Sequence, residues 1–172
     1  GKSADASSVA LYLATRAPEG EVVIVAADLE QAEDRVFKAA VYAVEHGPLK
    51  KHARVLRSSI KLDNGSTIEA LPADWKGSAG GNYRGVIFDE LHTYTLERQR
   101  RLFDELVIPP TEAHGCRWIA SYAGYSGESV LLNEWWDRGL EGEQLTTDPP
   151  IYRSPELLAL IDTGPDSWRM PW

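Results

Sequence analysis

The chain has 172 residues, 43% hydrophobic and 26% charged, which fits one domain of ordinary globular composition. With 18 Lys+Arg against 26 Asp+Glu, the net charge of −8 excludes a global field that draws in nucleic acid, so any such contact needs a local patch. A single cysteine, Cys116, excludes an intramolecular disulfide and fits a reducing compartment, and no apolar run approaches the roughly 20 residues of a membrane span.

The chain opens G-K-S, the last third of the phosphate-binding pattern G-x-x-x-x-G-K-[ST], with nothing before Gly1. From Ser3 to Arg16, Val9, Tyr12 and Leu13 recur at helical spacing among alanines, and Pro18 and Gly20 end the helix. Glu21 to Ala27, E-V-V-I-V-A-A, reads as a parallel strand buried on both faces. Asp28 with Gln31 three residues on opens a second helix, apolar at Val36, Phe37, Ala40, Val41 and Val44, which stops at Gly47-Pro48.

Two alternating runs flank Asp63-Asn64-Gly65, the signature of a β-hairpin. A polar, Gly-rich stretch from Asp74 to Gly85 leads into a short buried strand, Val86 to Phe88, that ends in Asp89-Glu90. A charged helix is expected over Leu96 to Val107, a strand over Arg117 to Tyr122, and a helix through Leu131, Trp135 and Trp136. After Gly142 the chain reads as irregular, with a short helix starting at Ser154-Pro155. Strand and helix alternate, which predicts an α/β fold with a mostly parallel sheet flanked by helices and carrying a hairpin insertion. Ligands of such sheets sit at the carboxyl ends of the strands, here at Asp89-Glu90 and from Ser121 onward.

The opening tripeptide and the acidic pair complement each other chemically. In a P-loop ATPase, Lys2 meets the β/γ-phosphate oxygens as a point charge and the Ser3 hydroxyl ligates Mg²⁺. Asp89 holds the same ion, and Glu90 polarises the water that attacks the γ-phosphate. The helix that begins at Ser3 aims its N-terminal N–H groups at the phosphates. Each motif alone is common; their order within an α/β pattern makes the combination informative.

At this point the sequence resembles the ATPase domain of the large terminase subunit of tailed bacteriophages, a P-loop NTPase-like motor that packages DNA into procapsids. Four stretches carry the resemblance: G-K-S, then V-I-V-A-A-D-L-E-Q-A, then I-E-A-L-P-A-D-W-K-G-S-A-G-G-N-Y-R-G-V-I-F-D-E-L-H, and finally W-I-A-S-Y-A-G-Y-S-G-E-S. The third is the most specific. They span Gly1 to about Ser129, and the tail from Asn133 to Trp172 matches more loosely.

The resemblance implies ATP and Mg²⁺ as cofactors, with Gly1, Lys2, Ser3, Asp89 and Glu90 in the roles above. Ser121 would belong to a coupling segment that senses the γ-phosphate. The family also uses an arginine finger, for which Arg84 is the first candidate and Lys76 the second. Implied partners are double-stranded viral DNA, the portal protein, the small terminase subunit and further copies in a ring, in the host bacterial cytoplasm with no membrane contact. Residues 1–172 then read as one partial ATPase domain cut within its phosphate loop (the Walker A motif), with a metal-dependent nuclease domain expected beyond Trp172. Lacking the front of that loop, the isolated chain is expected to bind ATP weakly or not at all.

Other residues read more plainly. His92 either senses nucleotide or caps the turn after Asp89-Glu90, and Cys116 reads as a small buried apolar residue. The four histidines lack zinc-ligand spacing. The basic clusters at Lys50, Lys51, His52, Arg54 and Arg57, and at Arg98, Arg100 and Arg101, read as solvated faces before DNA contacts. Trp135-Trp136 reads as packing on the sheet. A helicase-like P-loop ATPase and a degenerate module that only binds partners remain the alternatives.

Overall fold

The computed structural model describes residues 1–73, 81–124 and 127–161. Lys76, most of the Gly-rich stretch, and Trp168 and Trp172 lie outside the described residues. Helix α1 (Lys2–Arg16) is followed by strand β1 (Glu21–Ala26) and by a helical run of α2 (Leu29–Ala32), a π-helical turn (Glu33–Phe37) and α3 (Lys38–His46). Strands β2 (Ala53–Val55), β3 (Ser59–Leu62) and β4 (Thr67–Pro72) come next, then β5 (Tyr83–Asp89), α4 (Glu97–Glu105), β6 (Cys116–Ala120) and α5 (Val130–Leu140). The last elements are β7 (Glu143–Thr147), β8 (Pro150–Arg153) and β9 (Leu158–Leu160).

Six strands form one sheet in the order β2-β3-β4-β1-β5-β6. β4, β1, β5 and β6 run parallel, while β2 and β3 join antiparallel at the edge. The expected hairpin is β3–β4, and it turns at Asn64-Gly65, where Gly65 takes φ +84°. β4 pairs with β1, so the hairpin is continuous with the main sheet.

The apolar run of β1 is buried on both faces because helices cover both. Val22, Ile24 and Ala26 face a core with Ala6, Ala10, Leu13, Phe37 and Ala40, whereas Val23 and Val25 face Phe88, Leu102, Phe103 and Leu131. Gly85 of β5 lets α1 lie close, since a Cβ there would come within 2.7 Å of the Leu13 side chain. On the other face the Arg117 guanidinium stacks 4.0 Å from the Phe103 ring centre and donates to the Phe103 carbonyl. Trp135 packs edge-on against Phe103 of α4, within the core that covers this face of the sheet. Cys116 is half-buried against the first core, and burial raises its thiol pKa.

Beyond α5 the structure departs from the expected irregular tail. β7, β8 and β9 form a separate antiparallel sheet. Ser154-Pro155 starts no helix; the Ser154 N–H bonds the Leu157 carbonyl at 2.8 Å, closing the turn between β8 and β9. The strands were invisible because little of them is buried: Leu158 and Leu160 are exposed and β7 is exposed throughout, so no alternating pattern exists to read.

The carboxyl end of α1 is held by groups from far along the chain. Asn64 donates to the Ala14 and Ala17 carbonyls at 3.0 and 3.3 Å, and the Ser66 hydroxyl donates to Ala17 at 3.2 Å. Arg84, 8% exposed, donates to the Ala17 and Pro18 carbonyls at 2.7 and 3.2 Å and pairs with Glu112 at 3.3 Å. These donors satisfy carbonyls that a helix end leaves open. Arg84→Ala takes the side-chain donor from the Pro18 carbonyl, thins the set that holds the Ala17 carbonyl and leaves a largely buried carboxylate without its cation, so we expect a loss of about 3 kcal/mol or more in urea unfolding. Arg84→Lys should recover only a small part of it, because one ammonium cannot reproduce a planar fork of donors. An unchanged unfolding midpoint in Arg84→Ala would refute this role.

Candidate functional site

The parallel strands and α1 converge on one edge of the sheet, where β1, β5 and β6 end and α1 begins. Lys2 stands in the first turn of α1, and Asp89 is the last residue of β5. The next residue, Glu90, has φ +53° and ψ +52°, a left-handed conformation that a non-glycine side chain adopts only at an energetic cost. Its N–H bonds the Ala120 carbonyl at 2.8 Å, and a 3₁₀ turn (Leu91–Thr93) follows.

Asp89 and Glu90 are 2% and 6% exposed, so cations must gather around them or the charges would be intolerable. Glu90 Oε1 accepts from Arg35 at 3.2 Å and from Lys2 at 3.5 Å. Glu90 Oε2 lies 3.2 Å from His92 Nδ1 without a hydrogen bond. Lys2 Nζ also sits 3.1 Å above the centre of the Tyr122 ring. Neither carboxylate oxygen of Asp89 accepts a well-formed hydrogen bond from a described residue. Burial, and then the Glu90 charge, raise the Asp89 pKa, against the opposing pull of Arg35, Lys2 and the Glu90 backbone. Burial also lowers the pKa of His92, despite the adjacent Glu90 charge.

Of the residues singled out in the sequence, Lys2, Asp89, Glu90 and Ser121 come together here. Ser121 joins through His92: its Oγ accepts from the His92 N–H at 3.0 Å and lies 3.2 Å from His92 Nδ1. Gly1 and Ser3 flank Lys2 at the same helix end, Ser3 half-buried in the first turn.

Arg84 does not come with them. It lies five residues before Asp89 on β5, roughly 16 Å away at the opposite edge of the sheet, with its donors engaged by the end of α1 and by Glu112. Arg84 therefore stands apart from the acidic pair of its own chain. Lys76 lies outside the described residues.

The cation that does reach the site, Arg35, was missed. It stands in the π-helical turn, and such turns are frequent at functional sites. Its signal was positional: the helix after β1 starts at the ligand edge of the sheet, so a cation in its first two turns faces that edge. Of the basic clusters, Lys50, Lys51, His52, Arg54 and Arg57 are exposed, whereas Arg100 and Arg101 pair with Glu134 and Glu105.

The donor set can be tested for a metal. Among the described residues no group of three or more His, Cys, Asp or Glu forms a ready cage. What exists is one buried carboxylate with two unsatisfied oxygens beside two cations. That arrangement suits Mg²⁺, a hard ion that keeps several waters and is held by one or two carboxylates together with substrate phosphates.

A scan against protein-family models and a search of curated proteins found no match. Solved structures do match. The large terminase of bacteriophage HK97 superposes with a TM-score of 0.65 at 19% identity, covering 81% of this chain and 31% of that one. The large terminase ATPase domain of Thermus phage P74-26 gives 0.58 at 21% identity, covering 83% of this chain and 61% of that one. The large terminase of a further, thermophilic bacteriophage gives 0.59 at 11% identity, covering 79% of this chain and 34% of that one. The chain therefore has the fold of phage large-terminase ATPase domains and spans 31% to 61% of the length of these proteins.

The raised Asp89 carboxyl has a consequence for stability. The folded chain holds this proton more tightly than the unfolded chain does. The group therefore costs stability as pH rises from about 3.9 through its raised value, and the cost disappears as pH falls. Asp89→Asn removes the buried charge. We expect it to stabilise the chain by about 1–3 kcal/mol in urea unfolding at pH 7, with a smaller difference at about pH 4. Equal or lower stability of Asp89→Asn at pH 7 would contradict this account.

Proposed function

We propose that the chain is the ATPase region of a phage large-terminase subunit, a motor that couples ATP hydrolysis to packaging of double-stranded viral DNA into procapsids. The observation that carries this reading is the meeting of Lys2, from the first turn of α1, with Glu90 beside the unsatisfied Asp89. It occurs at the ligand edge of a sheet whose fold is that of large-terminase ATPase domains.

In this reading, Lys2 binds the β/γ-phosphate oxygens by charge, and the exposed N–H groups at the start of α1 assist it. Asp89 and the Ser3 hydroxyl hold Mg²⁺, which neutralises charge on the phosphate oxygens when bound. Glu90 orients the attacking water and withdraws proton density from it, and Oε2, the oxygen not occupied by Lys2 and Arg35, faces that task. Arg35 is the candidate cation for charge on the transferred phosphoryl group, in the place first given to Arg84. Ser121 belongs to the segment that transmits hydrolysis to movement of DNA.

As partners we propose viral DNA, the portal protein, the small terminase subunit and further copies of the subunit in a ring, acting in the host cytoplasm. No helix among the described residues is long and apolar enough to cross a membrane. The cluster at Lys50, Lys51, Arg54 and Arg57 is the surface best suited to DNA phosphates, ahead of the paired arginines on α4.

The experiment is DNA-stimulated ATP hydrolysis by the complete protein that carries this region. Glu90→Gln keeps the shape and removes the base, so kcat should fall by about 100-fold or more while ATP binding persists. A variant that hydrolyses ATP at the full rate would remove Glu90 from the proposed role.

A further inference from the structure

One contact in the site follows an order that the proposed chemistry does not require. Ser121 has a single hydroxyl hydrogen, and it is donated to the Tyr122 carbonyl at 2.8 Å. Its oxygen therefore meets both the His92 backbone N–H, at 3.0 Å, and His92 Nδ1, at 3.2 Å, as an acceptor. The tautomer with its hydrogen on Nδ1 is the one that fits this arrangement, because the Glu90 carboxylate oxygen Oε2 also stands against that nitrogen. Glu90 Oε2 is the same 3.2 Å from this nitrogen, is buried, and receives no hydrogen bond. One N–H stands between two acceptors and serves only one of them.

The surroundings hold this arrangement in place. The Ser129 hydroxyl donates to the His92 carbonyl at 2.9 Å, and the His92 and Tyr122 rings meet edge to face. Gly124 takes φ +71°, and a Cβ there would come within 2.9 Å of the His92 Cβ and 2.5 Å of the Ser129 hydroxyl. The segment after β6 thus seats directly on His92, and its position fixes where the Ser121 oxygen lies.

We infer that His92 is a positioning residue that shares one N–H between Ser121 and Glu90, so that the seat of the segment after β6 decides whether Glu90 Oε2 is free to orient water. This inference rests on the reading of Glu90 as the base. While Ser121 holds the Nδ1–H, Oε2 keeps its lone pairs for water. When Ser121 withdraws, the buried carboxylate oxygen takes the donor, because a charge-assisted hydrogen bond is the stronger one and an unsatisfied buried acceptor is costly. A carboxylate oxygen that accepts such a bond has one lone pair fewer to offer the water. Motion of the coupling segment and readiness of the base then become one event, linked through a single hydrogen.

The test is steady-state, DNA-stimulated ATP hydrolysis by the complete protein, with thermal unfolding of each variant measured alongside. Ser121→Ala removes the competing acceptor and should lower kcat about tenfold, with KM within about twofold. Ser121→Thr keeps the acceptor oxygen and should stay within about threefold of the unmodified rate. The decisive variant combines Ser121→Ala with His92→Phe, which keeps a ring but has no N–H to give Glu90. It should hydrolyse faster than Ser121→Ala alone.

Full kcat in Ser121→Ala overturns the inference, as does a double variant no faster than the single one or a loss confined to KM. Glu90→Gln, run in parallel, separates the two levels. If it loses activity while Ser121→Ala does not, the inference fails and the base assignment stands. If it keeps full activity, the base assignment fails and the inference fails with it. Should Ser121→Ala unfold, Ser121→Cys replaces it in both the single and the double comparison, since a thiol is a poor acceptor, and the same outcomes decide.

Discussion

Two neighbouring carboxylates are buried at the carboxyl end of β5, and the arrangement around them follows from what that burial costs. Removing one such charge from water costs several kcal/mol even after relaxation, and the second charge repels the first. Glu90 is stabilised by Arg35 and Lys2, drawn from two different helices. Asp89 receives no comparable hydrogen bond among the described residues. The site is thus compensated on one carboxylate and left short on the other. Such an imbalance costs the folded chain stability, and the cost falls on Asp89.

The two ends of α1 divide the labour. Its first turn brings Lys2 to the acidic pair. Its last turn is fastened by Asn64, Ser66 and Arg84, from the β3–β4 turn and from the start of β5. The close approach of α1 to β5 over Gly85 keeps the helix end and the strand end in register. Through this packing the fold carries a geometric constraint from one end of the parallel strands to the other.

Much of this was legible in the sequence because burial writes periodicity. The buried run of β1, the Asn64-Gly65 turn, the helix of Ser3 to Arg16 and the strand ending in Asp89-Glu90 each left a pattern that the structure reproduces. β7 to β9 left none, being mostly exposed, and Ser154-Pro155 resembled a helix start because the same residues also suit a tight turn. The position of Arg84 was hidden for a different reason. Its neighbourhood along the chain suggested proximity to Asp89, but a strand is an extended rod, and five residues carry a side chain to the other edge of the sheet. Arg35 was overlooked by the same logic in reverse: distant in sequence, it is adjacent because β1 and β5 pair in parallel.

The backbone of Glu90 explains how two consecutive residues serve one site. Along a strand, successive side chains point to opposite faces, so a continued β5 would send the Asp89 and Glu90 carboxylates apart. The left-handed conformation at Glu90 breaks that alternation at the position where both are needed. With the turn made, Arg35 and Lys2 act electrostatically on Asp89 and bind Glu90 directly. Strain of this kind persists only when its surroundings over-determine it. Here the Ala120 carbonyl fixes the Glu90 N–H, the Thr93 N–H bonds the Glu90 carbonyl, and the Ser121 oxygen fixes the His92 N–H two residues on. The strained residue is therefore clamped to β6 on one side and to the segment after it on the other. A displacement of that segment would act on the backbone that aims the carboxylate as well as on the hydrogen bond beside it. Both routes lead from the loop after β6 to the same side chain.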